Sequence, residues 1–386
     1  MKPPLFFMTI ATQFENVGDA LIHRELIRLA ASHGPVVVDW SRCPEWFRET
    51  LDITRIPSVT TITDRTAFYR RILISRLHGK RCILLLKPGA YFGPRGFGEL
   101  HAALVLGFNK LLALAGVEFM QFGASYERLD KANARFLRRK SRLYAAHFVR
   151  DEQSLYYARS LGMSISGLLP DLALAMLAEN APGSTARADG PITIGLSFRI
   201  GQFDGQEATI LLFINLLVQT IGVEAIRRFV IVSQVEWDTT FADTLERIVS
   251  ERFGIPVESV ATWRSIAQTR ETYAECDLIF SNRLHALLTG ASVCPHVVGL
   301  VDGDANRKIV GAFEAIGWGD NLLDIRSLTP VTFRKFVAFV RANPVSGADA
   351  AAHLREGFAS AIDPSHLPAH ADKRIGHASS VSGTNA

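Results

Sequence analysis

The chain has 386 residues, 48% of them hydrophobic and 21% charged, with 42 Lys and Arg against 38 Asp and Glu. That composition fits a soluble globular protein of two domains, long enough to bury its cores without disulfides or a structural metal. A formal net charge of +4 does not provide the dense basic face that nucleic acid requires, so no nucleic acid partner is expected.

The chain opens with Lys2 and a short apolar stretch that runs into Gln13-Phe14-Glu15-Asn16 without a small-residue cleavage site. Residues 5–10 therefore read as a first β-strand rather than a signal peptide. A helix is expected over 20–32, where Ile22, Leu26 and Leu29 recur at i, i+4, i+7. Short apolar runs at 36–38, 82–86, 117–121 and 147–149 read as further buried strands. The most apolar later segment, 100–120, is interrupted by His101, Asn109, Lys110 and Glu118. No stretch reaches the roughly 18 apolar residues of a membrane span. Arg138-Arg139-Lys140 with Arg142 ordinarily marks a solvated helix face, and otherwise a peripheral patch facing anionic lipid. Asp151 is a suitable N-cap for a helix that ends near Gly162.

The second half repeats the alternation. Strands are expected at 193–198, 229–233, 277–280 and 296–301, with amphipathic helices at 208–221, 240–252 and 266–275. Strand–helix alternation of this kind makes an α/β protein with parallel sheets. The Pro-, Gly- and Ala-rich stretch 179–191 reads as a linker. It divides the chain into a first domain, 1–185, and a second, 186–362, two Rossmann-like units facing a cleft. Residues 363–386 are small, polar and expected to be disordered. His366, His370 and His377 lie in that tail, and no metal site is expected there. Cys43, Cys82, Cys276 and Cys294 form no Cys-x-x-Cys pair, which points to reduced thiols rather than a disulfide or zinc framework.

Four segments place chemistry at strand ends. Ser281-Asn282-Arg283-Leu284-His285 follows a strand and opens a helix whose apolar positions are Leu284, Leu287, Leu288 and Ala291. Ser281 or Asn282 would cap that helix. Arg283 and His285 would then sit in its first turn, where cations are disfavoured. A bound anion would resolve that conflict; so would an arginine reaching solvent and a histidine bonded locally. Asn16-Val17-Gly18-Asp19 opens the first helix. Gly18 permits close approach of a ligand, and Asp19 could cap the helix. Ser197-Phe198-Arg199 and Val149-Arg150-Asp151 are the other two. Arg150, Arg199 and Arg283 together suggest a small polyanion carrying phosphate and carboxylate. No P-loop, Gly-x-Gly-x-x-Gly, His-Glu-x-x-His or Gly-x-Ser-x-Gly occurs, so a nicotinamide cofactor is not expected.

With these motifs in order, the sequence resembles the polysaccharide pyruvyl transferase family. The resemblance rests on Ser281-x-Arg283-Leu284-His285-Ala286-Leu287, Asn16-x-Gly18-Asp19, Val149-Arg150-Asp151-Glu152-x-Ser154-Leu155, Pro170-Asp171 and Gly195-Leu196-Ser197-x-Arg199. Pro295-His296-Val297-Val298 with Asn306-x-Lys308 also fits. It departs from the family at Glu15, at the Lys87-Pro88-Gly89-Ala90 turn, at the expected turn Met120-Gln121-Phe122-Gly123, and at Val301-Asp302-Gly303-Asp304.

The resemblance implies a GT-B-like fold and no bound cofactor. It also implies phosphoenolpyruvate as donor and a sugar acceptor in a polysaccharide or lipid-linked unit. Arg283, Arg199 and Lys308 would then grip the donor, His285 would serve as acid or base, and Asp19 would orient the acceptor or act as a second acid or base. Asn16, Gly18, Arg150, Ser197, Ser281, Asn282 and Leu284 would complete the binding site. A cytoplasmic location, with a peripheral contact at the inner face of the membrane, follows from a cytosolic donor and a lipid-linked acceptor. A GT-B glycosyltransferase using a sugar nucleotide is the alternative, although Glu271 and Glu275 lack the Glu-x7-Glu spacing of many such enzymes. A non-catalytic glycan-binding descendant is a third reading, against which Arg283 and His285 both stand.

Overall fold

A computed structural model describes residues 3–178, 190–199, 207–302 and 306–366. The expected linker, apart from its last two residues, lies outside them, as do His370, His377 and the tail beyond residue 366.

The first half runs β1 (Leu5–Thr9), α1 (Val17–Ala31), β2 (Val36–Asp39), α2 (Glu45–Leu51), β3 (Val59–Ile62), α3 (Arg65–Leu77), β4 (Cys82–Leu85) and β5 (Gly89–Gly93). It continues through α4 (Glu99–Leu114), β6 (Glu118–Leu129), α5 (Lys131–Ser141), β7 (Tyr144–Val149), α6 (Glu152–Ser160) and β8 (Gly167–Leu168) to a 3-10 helix, Leu172–Ala178. The second half holds β9 (Ile192–Ser197), α7 (Glu207–Ile221), β10 (Ile226–Ser233), α8 (Thr239–Phe253), β11 (Val257–Ala261), α9 (Ile266–Ala274), β12 (Leu278–Ser281) and α10 (Leu284–Ala291). After these come β13 (Val297–Val301), α11 (Arg307–Ala315), β14 (Leu322–Asp324), α12 (Pro330–Ala342) and α13 (Ala348–Ile362).

Two parallel sheets result. The first has the order β3-β2-β1-β4-β6-β7-β8, with β5 added to the far part of β6. The second has the order β11-β10-β9-β12-β13-β14. In each the chain starts at a central strand, moves one way, returns and continues the other way, as in doubly wound α/β domains. The central strands are buried on both faces, as crossover helices require: β1, β4, β9 and β12 have little or no exposure along their length, and β1, β4 and β12 are almost wholly apolar. The architecture is thus two Rossmann-like domains in a GT-B-like arrangement. Where the strand order reverses, at β1/β4 and at β9/β12, the loops leaving the carboxyl ends part to opposite faces and open a crevice.

Three details differ from the sequence reading. Met120–Gly123 is no turn. It lies inside the 12-residue strand β6, where Gly123 adopts φ +64° at a break in register between Gln121 and Ala124. A β-bulge there lets one strand pair first with β4 and then with β5. The first helix begins at Val17 and is capped by Asn16, whose side chain accepts from the Gly18 N–H at 2.9 Å, so Asp19 is not the cap. Helix α13, expected in the second domain, packs on the first. The Phe358 and Phe122 rings stand 4.7 Å apart, and Arg81 of the first sheet donates to the Ile362 carbonyl at 2.7 Å. Asp151 does cap α6, accepting from Ser154 N at 2.7 Å. The four cysteines are free and buried.

Candidate functional site

The site is built where the carboxyl edges of the two sheets meet. The loop after β1 reaches across and pairs with the loop after β10: Asn16 and Val235 form an antiparallel bridge, Val17 N donates to the Gln234 carbonyl, and Glu236 N donates to the Glu15 carbonyl. Nearby, the Trp46 and Trp263 rings meet edge to face at 5.3 Å, with Arg264 over both. This seam fixes the start of α1 against the second domain.

On the second domain, the turn between β12 and α10 is locked to the end of β9. Ser281 Oγ donates to the Ser197 carbonyl at 2.7 Å and accepts from Arg283 N at 2.9 Å. The Asn282 side chain accepts from Arg199 N at 2.6 Å and donates to the Arg199 carbonyl at 3.1 Å, so it continues the ladder one residue beyond the β9–β12 strands. Neither side chain caps the helix. Helix α10 starts at Leu284 with Arg283 in the cap position and no side-chain cap bond. Leu284 itself turns into the core.

Arg283 and His285 are nevertheless held at that helix start, and the protein supplies their counter-charges. Arg283 pairs with Asp238 at the start of α8. Its side chain is 13% exposed, and its Nε has no hydrogen-bond partner. Burial pushes the Arg283 guanidinium down from its ordinary value; Asp238 opposes this and Arg199 adds to it. Arg199 and Arg283 both act on the Asp238 carboxyl, which brings the two guanidiniums to one side of the cleft.

His285 Nε2 lies 3.6 Å from Asp171 Oδ2, across the cleft from its own helix. The same carboxylate oxygen accepts from Arg150 Nη1 at 2.7 Å, and Oδ1 accepts from Ala173 N at 3.0 Å. Burial alone would raise the Asp171 carboxyl, but Arg150, His285 and the Ala173 amide hold it well below the usual carboxylate range. Arg150, Asp171 and His285 thus form one string, with its histidine on the second domain and its two partners on the first. Arg150 is buried and also lies 3.9 Å from Asp151. It supports Asp171 and does not join Arg199 and Arg283 in one cluster.

Gly18 has a steric reason. A Cβ built there would sit 2.3 Å from His285 Nδ1 and under 3 Å from the Cγ and Cβ of the same side chain. The imidazole is therefore pressed against the opening of α1, and only glycine leaves it room. Asp19 accepts from Thr12 Oγ1 at 2.6 Å and lies 3.5 Å from Asn16 Nδ2. Below it, the buried His23 ring donates from Nδ1 to the Asp19 carbonyl at 2.7 Å. Burial pushes that imidazole down to about 4, so it is neutral and acts as a fixed donor. Lys308, on α11, lies 2.9 Å from Glu127 at the far end of β6, and that contact leads the causes holding the Glu127 carboxyl below its ordinary range.

Asp171, Asp238 and Glu127 are the participants the sequence did not single out. Asp171 carried a signal, since Pro170-Asp171 is one of the family motifs. Asp238 and Glu127 carried none; they are paired only through folding.

Over residues 16–297 the sequence matches the family described as polysaccharide pyruvyl transferase. Lys308 lies beyond that stretch. Among curated proteins none matches this sequence. Among solved structures the chain is similar to the UDP-GlcNAc 2-epimerase of Methanocaldococcus jannaschii, at 11% identity and TM-score 0.51, covering 92% of this chain and 98% of that one. A Listeria monocytogenes protein whose name assigns it as a UDP-N-acetylglucosamine 2-epimerase is similar at 11% identity and TM-score 0.52, covering 92% and 91%. At such identity the likeness concerns the fold alone.

Proposed function

The chain belongs to the polysaccharide pyruvyl transferase family, and from that premise we propose that it moves the pyruvyl group of phosphoenolpyruvate onto two hydroxyls of one sugar. The acceptor is a sugar of a polysaccharide or of a lipid-linked repeat unit, met at the cytoplasmic face of a membrane. The product is a cyclic ketal, and inorganic phosphate leaves. The observation that carries this reading is the Arg150–Asp171–His285 string spanning the cleft beside Arg283, whose buried Nε is unpaired.

The chemistry needs a proton on the methylene carbon of the donor, removal of a proton from each attacking hydroxyl, and stabilisation of the departing phosphate. Two C–O bonds form at the central carbon and its bond to the phosphate oxygen breaks. Of the two hydroxyl protons, one ends on the new methyl group and the other on phosphate. His285 is the group that relays them, since its ring stands between Asp171 and the start of α1 where the two edges meet. Asp171 orients its ring, and Arg150 holds Asp171. Arg283 and Arg199 grip the donor's carboxylate and phosphate through charge-assisted bonds that also stabilise charge moving onto the leaving group. Asp19, beside Gly18 and Asn16, receives the acceptor hydroxyls. Lys308, bonded to Glu127 across the cleft, joins the donor grip only by exchanging that partner.

The test is thermal stabilisation of the purified protein by phosphoenolpyruvate, set against UDP- and GDP-sugars, for wild type and Arg283→Ala. A ligand at about 100 times its Kd adds roughly 2.7 kcal/mol, or several degrees in a chain of this size. A shift with phosphoenolpyruvate that Arg283→Ala abolishes is the expected result. A shift with a sugar nucleotide alone would replace this reading with the glycosyltransferase one.

A further inference from the structure

Helices α3, α4 and α5 lie side by side on the first domain. The Tyr69 and Phe108 rings meet at 4.9 Å between α3 and α4, and Phe136 of α5 meets Phe97, just before α4, at 5.4 Å. Helix α4 buries only Ala102 and Leu112 fully. Its outward stripe is Leu100, Leu104, Phe108, Leu111 and Leu114, at i, i+4, i+8, i+11 and i+14, and four of these are between 64% and 77% exposed. Leu73, Ile74 and Leu77 of α3 are exposed too, and Arg76 of that helix donates to the Ala115 carbonyl at the end of α4. The two apolar rows therefore adjoin. Isolated apolar side chains on a surface are ordinary, whereas a continuous patch of this kind marks a contact.

The flanks are cationic. Residues 65–80 hold five Lys and Arg and no Asp or Glu, and residues 131–141 hold another five with none. Between α4 and α5 lies a cavity of about 260 Å3 whose lining includes Arg95, Arg135, Arg139, Glu99 and Phe136. The Arg95 side chain is 7% exposed, bonds Glu99 through Nη2 at 2.7 Å, and leaves its Nε without a hydrogen-bond partner.

We propose, independently of the donor chemistry, that the outer face of α3 and α4 docks on an anionic lipid bilayer, with the Arg95–Arg135–Arg139 cavity receiving the phosphate of one lipid headgroup. A flat amphipathic helix with a basic surround is the form of an interfacial contact. Among the described residues no helix is long and apolar enough to cross a membrane. Charge selects lipid over a second copy of this chain, because a two-fold interface here would set like-charged flanks together, while an anionic leaflet attracts each cation. Arg95, in the lining of the cavity, stands in the loop that leaves the carboxyl end of β5.

The test is sedimentation of the full chain with phosphatidylcholine vesicles, with and without phosphatidylglycerol. Wild type should pellet only with the phosphatidylglycerol vesicles. Leu104→Glu with Leu111→Glu, and separately Arg135→Ala with Arg139→Ala, should each weaken binding by roughly tenfold or more. Their melting temperatures should stay at the wild-type value, since all four side chains are exposed. The readout needs neither donor nor sugar, so it stands apart from the test of pyruvyl transfer. Absence of wild-type binding, variants that bind like wild type, or a dimer in sedimentation velocity that the leucine variant dissociates would each overturn the proposal.

Discussion

The two carboxyl edges that form the cleft carry opposite charge. The first domain brings Asp19, Glu127 and Asp171, while the second brings Arg199, Arg283, His285 and Lys308. Residues of the other sign are present on both edges, and two of them are neutralised locally: Arg150 on Asp171, Asp238 against Arg283. The difference teaches which substrate each edge suits. A small polyanion is attracted to the second edge and repelled by the first. A neutral sugar, whose hydroxyls donate to carboxylates, suits the first.

That division can be broken by experiment, and the largest effect is expected at the group joining the two edges. His285→Ala should lower kcat by roughly 10²–10⁴-fold if the ring moves protons, while phosphoenolpyruvate still shifts the melting temperature. Turnover within a few-fold of wild type would remove His285 from the chemistry. Asp171→Asn keeps the shape and deletes the charge. It should lower kcat by about 10–10²-fold with little change in the KM for donor, because Asp171 acts through the ring it orients. A rise in donor KM instead would make Asp171 part of the binding site. The smallest effect sharpens the steric side of the comparison. In Gly18→Ala the new methyl must displace the imidazole, so kcat should fall about tenfold, with a stability loss of roughly 1–3 kcal/mol. Unchanged kinetics would show that the ring works from another position.

The buried strands were legible because parallel strands covered on both faces must be nearly all apolar. Thus β1, β2, β4, β9 and β12 fall within a residue or two of their expected bounds. The strands β3, Val-Thr-Thr-Ile, and β11, Val-Glu-Ser-Val-Ala, were not seen. They are sheet edges, half-exposed, and carry no sustained apolar run. At the site, the family motifs pointed to Arg283, His285, Gly18 and Asp19, but not to what each touches. The capping choice failed at the two helices for different reasons. At α1 the helix begins at Val17 with Asn16 as its cap, which places Asp19 inside the first turn, whereas at α10 Ser281 and Asn282 were taken by longer-range partners on β9. Asp238 and Glu127 lie 45 and 181 residues from their partners Arg283 and Lys308, a separation no local pattern encodes.

Helix α13 packs against the Leu172–Ala178 segment, where Gly347 and Gly357 lie close to Leu177 and Leu169. The first domain is therefore discontinuous in sequence, while the second, from β9 to α12, is one uninterrupted stretch. On the ribosome the amino-terminal half emerges first and still cannot finish its core, because the helix that covers Phe122 is made only after the whole second domain. The later half can close as soon as α12 has left the exit tunnel. A nascent chain stalled with Asn343 just outside the tunnel mouth should then protect β9–β14 from protease while β1–β8 remain open to digestion, and the order of birth and the order of completion run in opposite directions.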